Sequence, residues 1–370
     1  MSLQKLDIYH VRNLQQASLY PATKINLIYG NNASGKSSIL EAIYLLGRAS
    51  SFRSTTIKNV IHFAHNELIV SGKVRFTNAH VSTLGIRIDG KGIQIRIDEE
   101  TRYSRSELAY ALPIQMIHPK SYQLLDAGPQ LRREFIDWGV FNQHPDFLNN
   151  WRNFKRILNH RNALLKTRSV KELNVWNHEL QQYGTIVAEY RMQYLTELMP
   201  VFLQIMHKFT ALENIELKLL PGWDADFLLL DKLTEDLEKD LRYGFTHSGP
   251  HRADFQLLIE SRKAKDFVSR GQLKLLMLSL KLAQVQHLLN NGSKSGCILI
   301  DDAVAELDFS SRTKLLDFLA DMDVQVFITA TEQNEFGDLS NLGEYKMFHV
   351  EHGVVSEVDQ NVSRETLNKV

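Results

Sequence analysis

The residues with the clearest chemistry in this sequence lie between positions 30 and 37. They read Gly-Asn-Asn-Ala-Ser-Gly-Lys-Ser and match the pattern G-x-x-x-x-G-K-[ST] of a phosphate-binding loop. Glycines let backbone N–H groups turn toward phosphate oxygens, and a following helix adds the positive end of its dipole. The residues predicted to bind nucleotide phosphates are Gly30, Asn31, Asn32, Ala33, Ser34, Gly35, Lys36, Ser37 and Ser38.

Two side chains of this loop have specific predicted roles. Lys36 is expected to reach the β- and γ-phosphates, and the Ser37 hydroxyl is expected to bind Mg²⁺. By average residue usage, the pattern arises by chance in about one chain in a hundred of this length. The neighbouring segments strengthen it, because a strand-like run at 24–29 precedes the loop and a helical pattern at 36–46 follows it.

A pair of carboxylates follows an apolar strand later in the chain. Residues 297–300 read Cys-Ile-Leu-Ile, and Asp301 and Asp302 come directly after them. Beside a phosphate loop, Asp301 is expected to complete the Mg²⁺ site and Asp302 to orient or deprotonate the attacking water. Asp308 follows closely, and two interpretations stay open: a role at this site, or the N-cap of the next helix.

A second candidate anion site opens the apolar helix predicted at 273–289. The segment before it consists of Ser269, Arg270, Gly271 and Gln272. A small residue and a glycine at a helix N-terminus leave backbone N–H groups accessible to an anion. Since one γ-phosphate needs only one cradle in its own chain, we expect this segment to cap the nucleotide of a second copy.

The elements that must position these residues change along the chain. The first third reads as strands, and alternating isoleucines on both sides of Asp89-Gly90 predict a hairpin. Residues from about 130 to 240 are predicted to be mostly helical, with a long amphipathic helix at 173–209. The last third returns to mixed α/β structure, with a further buried strand at 324–328.

Composition excludes several classes of protein. The 370 residues are 44% hydrophobic and 23% charged, which is typical of a folded chain rather than a disordered one. No apolar stretch is long enough for a membrane span, and the N-terminal segment lacks the apolar core of a signal peptide. We therefore expect a cytoplasmic protein. The lone Cys297 excludes an internal disulfide and a cysteine-built metal site.

Total charge gives no argument for nucleic-acid binding, because 43 basic residues balance 43 acidic ones. Local charge does give such an argument, because residues 151–171 carry seven basic and no acidic side chains. A stretch of this kind can track phosphates, although a solvated polar face is an equally good interpretation. Residues 213–240, with nine acidic and three basic side chains, are not expected to contact DNA. The predicted DNA contacts are Arg152, Lys155, Arg156 and Arg161.

The motifs together resemble the ABC-type ATPase heads of the SMC-like group and, within it, the RecF family of bacterial recombination mediators. The phosphate loop, the S-R-G-Q signature, the strand ending in Asp-Asp and the E-L-D that follows occur in this sequence. Further stretches of the family are found in its order: LEAIY at 40–44, SFRS at 51–54, GP and RR within 128–133, and SGPHR at 248–252.

The resemblance implies an α/β fold with two lobes. We expect a P-loop ATPase lobe, with a mixed sheet and an antiparallel β-meander, at 1–118 and 290–370. A mainly helical lobe carrying the signature at 269–272 is expected at 119–289. We leave open whether its 241–268 part returns to the ATPase lobe.

The resemblance also implies an ATP-dependent DNA-binding protein of recombinational gap repair, replication restart and the SOS response. Its cofactors would be ATP and Mg²⁺, and slow hydrolysis, at most a weak DNA-stimulated ATPase activity, would control a head-to-head homodimer. Its partners would be single-stranded and gapped or duplex DNA and the RecO and RecR proteins, which favour RecA loading.

Several positions depart from the general ABC pattern. Arg270 stands where transporters have glycine, and Asp302 stands where a glutamate is usual. No histidine follows the strand at 324–328, so Thr329 or Thr331 is the candidate switch residue.

Two further questions stay open at the level of the sequence. For the glutamine loop, Gln115 and His118 both lie near the expected place, and neither is preferred. The main alternative function is the soluble ATPase subunit of a transporter, against which the long helical insertion argues. A small-molecule kinase or GTPase is a third class, but the guanine motif N-K-x-D is absent from the sequence.

Overall fold

The computed structural model describes residues 1–292, 296–302 and 306–358. The strands in these ranges are β1 (Ser2–Val11), β2 (Leu14–Leu19), β3 (Ile25–Tyr29), β4 (Leu68–Arg75), β5 (Val81–Asp89), β6 (Gly92–Ile97), β7 (Glu100–Arg102), β8 (Ile114–Ile117), β9 (Ile215–Leu220), β10 (Asp254–Ile259), β11 (Arg262–Lys263), β12 (Cys297–Ile300), β13 (Gln325–Ala330), β14 (Tyr345–Glu351) and β15 (Val354–Val358). The α-helices are α1 (Lys36–Arg48), α2 (Arg105–Ala111), α3 (Gln123–Asp126), α4 (Pro129–Gln143), α5 (Phe147–Thr167), α6 (Leu173–Phe209), α7 (Leu229–Glu235), α8 (Leu237–Tyr243), α9 (Arg270–Asn290) and α10 (Phe309–Asp321).

The chain divides into two compact units, Met1–Lys120 with Leu288–Val370, and Ser121–His287. The first unit contains two six-stranded sheets. One is antiparallel, in the order β2-β1-β4-β5-β6-β7. The other has the order β15-β14-β3-β13-β12-β8 and is mixed, because its edge strand β15 runs antiparallel to β14 while the other neighbours are parallel. The mixed sheet and the antiparallel meander predicted from the sequence are both confirmed.

Strands from both sheets of the first unit pack against helix α1. The sequence predicts a helix with one apolar face, formed by Ile39, Ile43 and Leu46. In the structure almost the whole helix is buried, including Lys36 at its start and Glu41 in its middle, because strands of both sheets pack against it. Each fully buried Leu or Ile contributes about 1.5–3 kcal/mol. The end of the phosphate loop is therefore anchored in the core of this unit.

Parallel pairing brings the predicted site segments to one edge of the mixed sheet. Strands β3, β13, β12 and β8 are parallel neighbours, so their carboxyl ends share an edge. The phosphate loop follows β3, and Asp301 follows β12. Ligands of open α/β sheets bind at this edge.

The second unit is mainly helical. Helices α5 and α6 pack against each other, and α6 runs for 37 residues through Pro200 to Phe209, as the sequence predicts. No helix of the described residues has both the length and the apolar character needed to cross a bilayer.

This unit also contains an antiparallel sheet, β11-β10-β9, that the sequence analysis missed. The sequence pattern that indicates this sheet is the alternation of Ile215, Leu217 and Leu219 with charged residues in β9. This alternation lies within a region predicted to be mostly helical. Strand β10 pairs with β9 along its whole length, and residues 241–268 fall within the second unit.

Candidate functional site

The two glycines of the phosphate loop are required by its backbone geometry. Gly30 has φ +151° and Gly35 has φ +126°, in the region that side chains disfavour. A Cβ at Gly30 would lie 2.1 Å from the carbonyl oxygen of Val350, and one at Gly35 would lie 2.9 Å from Leu14. The loop thus has a tight backbone with glycine-specific conformations, as a phosphate-binding loop needs.

Lys36 lies across this loop. Its ammonium group donates hydrogen bonds to the carbonyl oxygens of Gly30, at 2.7 Å, and Asn31, at 3.1 Å. The residue is only 4% exposed. A positive charge is therefore fixed at the loop, where the terminal phosphates of a nucleotide would lie.

Ser37 and Asp301 come together although they are 264 positions apart. The Ser37 hydroxyl donates to Oδ1 of Asp301 at 2.8 Å. A hydroxyl and a carboxylate beside a phosphate site are the oxygen ligands that Mg²⁺ prefers, so the two residues present fit this ion. Burial raises the pKa of the Asp301 carboxyl, and the hydrogen bond from Ser37 opposes this shift.

Thr329 connects the two carboxylates at the strand end. Its Oγ1 lies 3.1 Å from Oδ1 of both Asp301 and Asp302 and accepts the backbone N–H of Asp302 at 2.9 Å. Asp302 adopts a left-handed backbone with φ +48°, a conformation that costs about 1–3 kcal/mol at a non-glycine residue. Of the two candidate switch residues, Thr329 therefore contacts the acidic pair directly.

The loop opens into a pocket of about 290 Å³, which Asp302 also lines. Two arginines in the lining, Arg12 and Arg53, were not predicted as site residues. Both come from outside the recognised loop, Arg12 from the turn between β1 and β2 and Arg53 from the segment after α1. Their charges make the pocket suitable for a polyanion.

A buried carboxylate positions Arg12 at this pocket. The Arg12 guanidinium donates to both oxygens of Glu41, at 2.8 and 2.9 Å, and the Ser51 hydroxyl donates to the same carboxylate. Glu41 is fully buried in α1. The LEAIY and SFRS stretches are thus joined at one carboxylate, which fixes the arginine without touching the pocket itself.

Replacing Asp301 with asparagine is expected to stabilise the nucleotide-free protein by about 1 kcal/mol, because a neutral amide removes the cost of burying the charge at this functional site. Because the pKa of this carboxyl is raised in the folded state, ionised Asp301 opposes folding near neutral pH, and this cost fades as pH falls through the folded pKa. Urea denaturation at pH 7 measures the gain, with exposed Asp321→Asn as the control. A loss of stability in Asp301→Asn would contradict the assignment.

The signature lies in the second unit and forms a capping box at the start of α9. The Ser269 hydroxyl accepts the backbone N–H of Gln272 at 3.2 Å, and the Gln272 side chain accepts the N–H of Ser269 at 3.0 Å. Ser269, Arg270 and Gly271 are exposed. The segment is therefore folded as an accessible helix N-terminus.

The remaining candidates near the first site are placed as follows. Asp308 is the N-cap of α10, since its carboxylate accepts the backbone N–H and the hydroxyl of Ser311 at 2.9 and 2.8 Å. Gln115 is buried within β8, whereas His118 follows the end of that strand. The carbonyl oxygen of Ile117, the last residue of β8, accepts the N–H of Asp301 at 2.9 Å. His118 directly follows Ile117, so of the two glutamine-loop candidates it is nearer in sequence to this contact.

Arg161 corrects the predicted set of DNA contacts. Arg152, Lys155 and Arg156 are exposed on α5, but Arg161 is fully buried. Its guanidinium is paired at 2.7 Å with the buried carboxylate of Asp240. Arg161 forms an ion pair inside the second unit, so it is not available to a DNA phosphate.

These features define a class of protein: an ABC-type P-loop ATPase head, with a mixed sheet that carries the phosphate loop and a helical unit that carries the signature. The model of the RecF/RecN/SMC N terminal domain family matches residues 2–356. Over 362 residues the chain is 39% identical to the DNA replication and repair protein RecF of Pseudomonas aeruginosa (strain LESB58), covering 96% of this chain and 98% of that one. The chain belongs to the RecF family, as its motifs predict.

Solved structures agree with this assignment. A structure of the recombination mediator protein RecF-ATP in the RecFOR pathway is similar with a TM-score of 0.85 and 26% identity, over 97% of this chain and 98% of that one. The Smc head domain of Pyrococcus furiosus, bound to the C-terminal domain of ScpA, has a TM-score of 0.60 at 16% identity and covers 100% of this chain and 99% of its own. The second similarity concerns the fold alone.

Proposed function

We propose that this chain is an ATP-dependent DNA-binding protein of recombinational gap repair and replication restart, in which slow ATP hydrolysis controls a head-to-head dimer. The observation that carries the proposal is the convergence of Lys36, Ser37, Asp301 and Asp302 at one edge of the mixed sheet. The relatives support it, because one is named a DNA replication and repair protein and a similar structure is of RecF with ATP.

Within one chain, each site residue has a distinct role in this function. Lys36 would exchange its contacts with loop carbonyls for the β- and γ-phosphates. Ser37 and Asp301 would hold Mg²⁺, which would neutralise phosphate charge. Asp302 would orient the attacking water. Its short side chain suits slow hydrolysis, which would set how long the ATP-bound state lasts.

The signature would complete the site of a second copy. A Cβ at Gly271 would have Ser269 Oγ at 3.9 Å as its nearest neighbour outside its own helix backbone, so packing within the chain does not require a glycine there. Close approach of another molecule's phosphate would require it. ATP would then join two heads, and the dimer would present two DNA-binding surfaces together.

Replacing Gly271 with alanine is expected to separate stability from dimerisation. The monomer should be unchanged or more stable by up to about 1 kcal/mol, because alanine favours helix. The ATP-dependent dimer should weaken by about tenfold or more, since an added methyl in a tight contact costs about 1–3 kcal/mol. Sedimentation velocity with ATP measures the second effect and thermal unfolding the first. A dimer of wild-type affinity would contradict capping in trans.

The expected biological setting follows from the family. We propose single-stranded and gapped or duplex DNA as ligands, RecO and RecR as protein partners, RecA loading as the outcome, and the cytoplasm as the location. The similar RecF structure is described as part of the RecFOR pathway, which supports these partners. A transporter ATPase subunit is not favoured, because the relatives that match along the chain are RecF proteins.

A further inference from the structure

A group of three aromatic residues lies where α8 ends, and we call these residues, Tyr243, Phe245 and His247, the aromatic platform. Tyr243 and Phe245 are exposed, whereas the His247 side chain is only 10% exposed. The ring centroids of Phe245 and His247 are 4.3 Å apart, and those of Tyr243 and His247 are 5.4 Å apart. Tyr243 is 59% exposed and Phe245 is 38% exposed. Large aromatic side chains left open in this way, as a group, mark a contact surface.

The platform is held in place from below by a buried network. Nδ1 of His247 lies 2.7 Å from the Asp240 carboxylate, which also accepts the backbone N–H of His247 at 3.0 Å. The second oxygen of Asp240 accepts from Arg161 at 2.7 Å. The carboxylate therefore points inward and is neutralised, so it adds no negative charge to the exposed face.

Two basic side chains lie beside the platform. The Arg252 guanidinium carbon lies 5.9 Å from the centre of the Phe245 ring. Lys166 of α5 lies against Gly244, since a Cβ there would be 3.1 Å from Lys166 Cγ.

We propose that the aromatic platform binds single-stranded nucleic acid, with unpaired bases stacked on Tyr243 and Phe245 and phosphates held by Arg252 and Lys166. The basic residues alone would serve a duplex equally well. Exposed rings beside them select a single strand, because only unpaired bases have free faces for stacking. The inference rests on the proposed DNA-binding function and names the form of DNA that this surface takes.

The test compares single-stranded and duplex DNA with the full chain and ATP. Fluorescence anisotropy with a labelled oligothymidine should show binding about tenfold or more weaker for the double variant Tyr243→Ala, Phe245→Ala, because each stacked base contributes substantially to affinity. Binding to a blunt duplex should change less than about twofold, since phosphate contacts remain. Phe227→Ala, at an exposed phenylalanine of the same unit, is the matched control and should bind both as wild type.

A second measurement needs no substitution. An oligothymidine containing 5-iodouracil, photocrosslinked to the wild-type chain, should mark the peptide that contains Tyr243 and Phe245. Crosslinks confined to other peptides, or wild-type single-strand affinity in the double variant, would overturn the inference. If ATP-dependent duplex binding is intact while the wild type fails to bind the single strand, the inference fails and the proposed function stands. Absence of any ATP-dependent DNA binding would overturn both.

Discussion

Lys36→Met should abolish ATP-dependent dimerisation of this chain. The substitution keeps an unbranched side chain of similar length but removes the ammonium group of a residue that is 4% exposed. This group lies 2.7 Å from the carbonyl oxygen of Gly30. Hydrogen bonds to charged groups contribute about 1.5–3 kcal/mol each, so ATP affinity should fall by about tenfold or more. Sedimentation velocity at saturating ATP for the wild type should then show dimer for the wild type and monomer for the variant.

The matched control for this experiment is Lys58→Met, which removes an exposed ammonium group in the same unit. It should dimerise with ATP like the wild type. Thermal unfolding without nucleotide checks that Lys36→Met is folded. An unchanged ATP-dependent dimer in the folded Lys36 variant would rule out the proposed gating.

Asp240→Ala should destabilise the protein by about 3–5 kcal/mol, which is typical of removing one partner of a buried ion pair. The variant leaves the charge of Arg161 fully buried beside neutral partners, Asn177 and Thr246 at 2.7 Å each and the carbonyl oxygen of Leu233 at 3.4 Å. It also removes the acceptor that holds His247, so the aromatic platform should loosen. Urea denaturation followed by circular dichroism measures the loss.

Asp226→Ala is the control for this prediction, because Asp226 is an exposed aspartate of the same unit. Its free energy of unfolding should stay within about 0.5 kcal/mol of the wild type. A similarly small effect in Asp240→Ala would mean that the buried pair is not a main support of the second unit.

The parts of the site that could be predicted from sequence are those that local pattern determines. Gly30, Gly35 and Lys36 are recognisable because their roles depend on backbone geometry within a few residues. The strand before Asp301 is recognisable as an unbroken apolar run. Once both are placed in one α/β sheet, parallel pairing brings them to one edge, and the Ser37–Asp301 hydrogen bond follows.

The parts that could not be predicted depend on contacts between distant segments. Arg12 reaches the pocket because Glu41 is buried in a helix that both sheets cover, and no spacing in the sequence shows this. The basic stretch around Arg161 predicts a surface position for this residue. Its buried partner Asp240 lies 79 positions later, in an acidic stretch, and no local pattern connects the two. One residue of each stretch, Arg161 and Asp240, pairs in the core, so charge along the chain did not predict which residues lie on the surface.

Control of DNA binding by ATP is measured directly as the affinity of the wild-type chain for gapped DNA with ATP, with ADP and without nucleotide, across a salt series. We expect tight binding only with ATP, and we expect the affinity to fall steeply with salt because phosphate contacts release counterions. Equal affinity in all three nucleotide states would contradict this expectation.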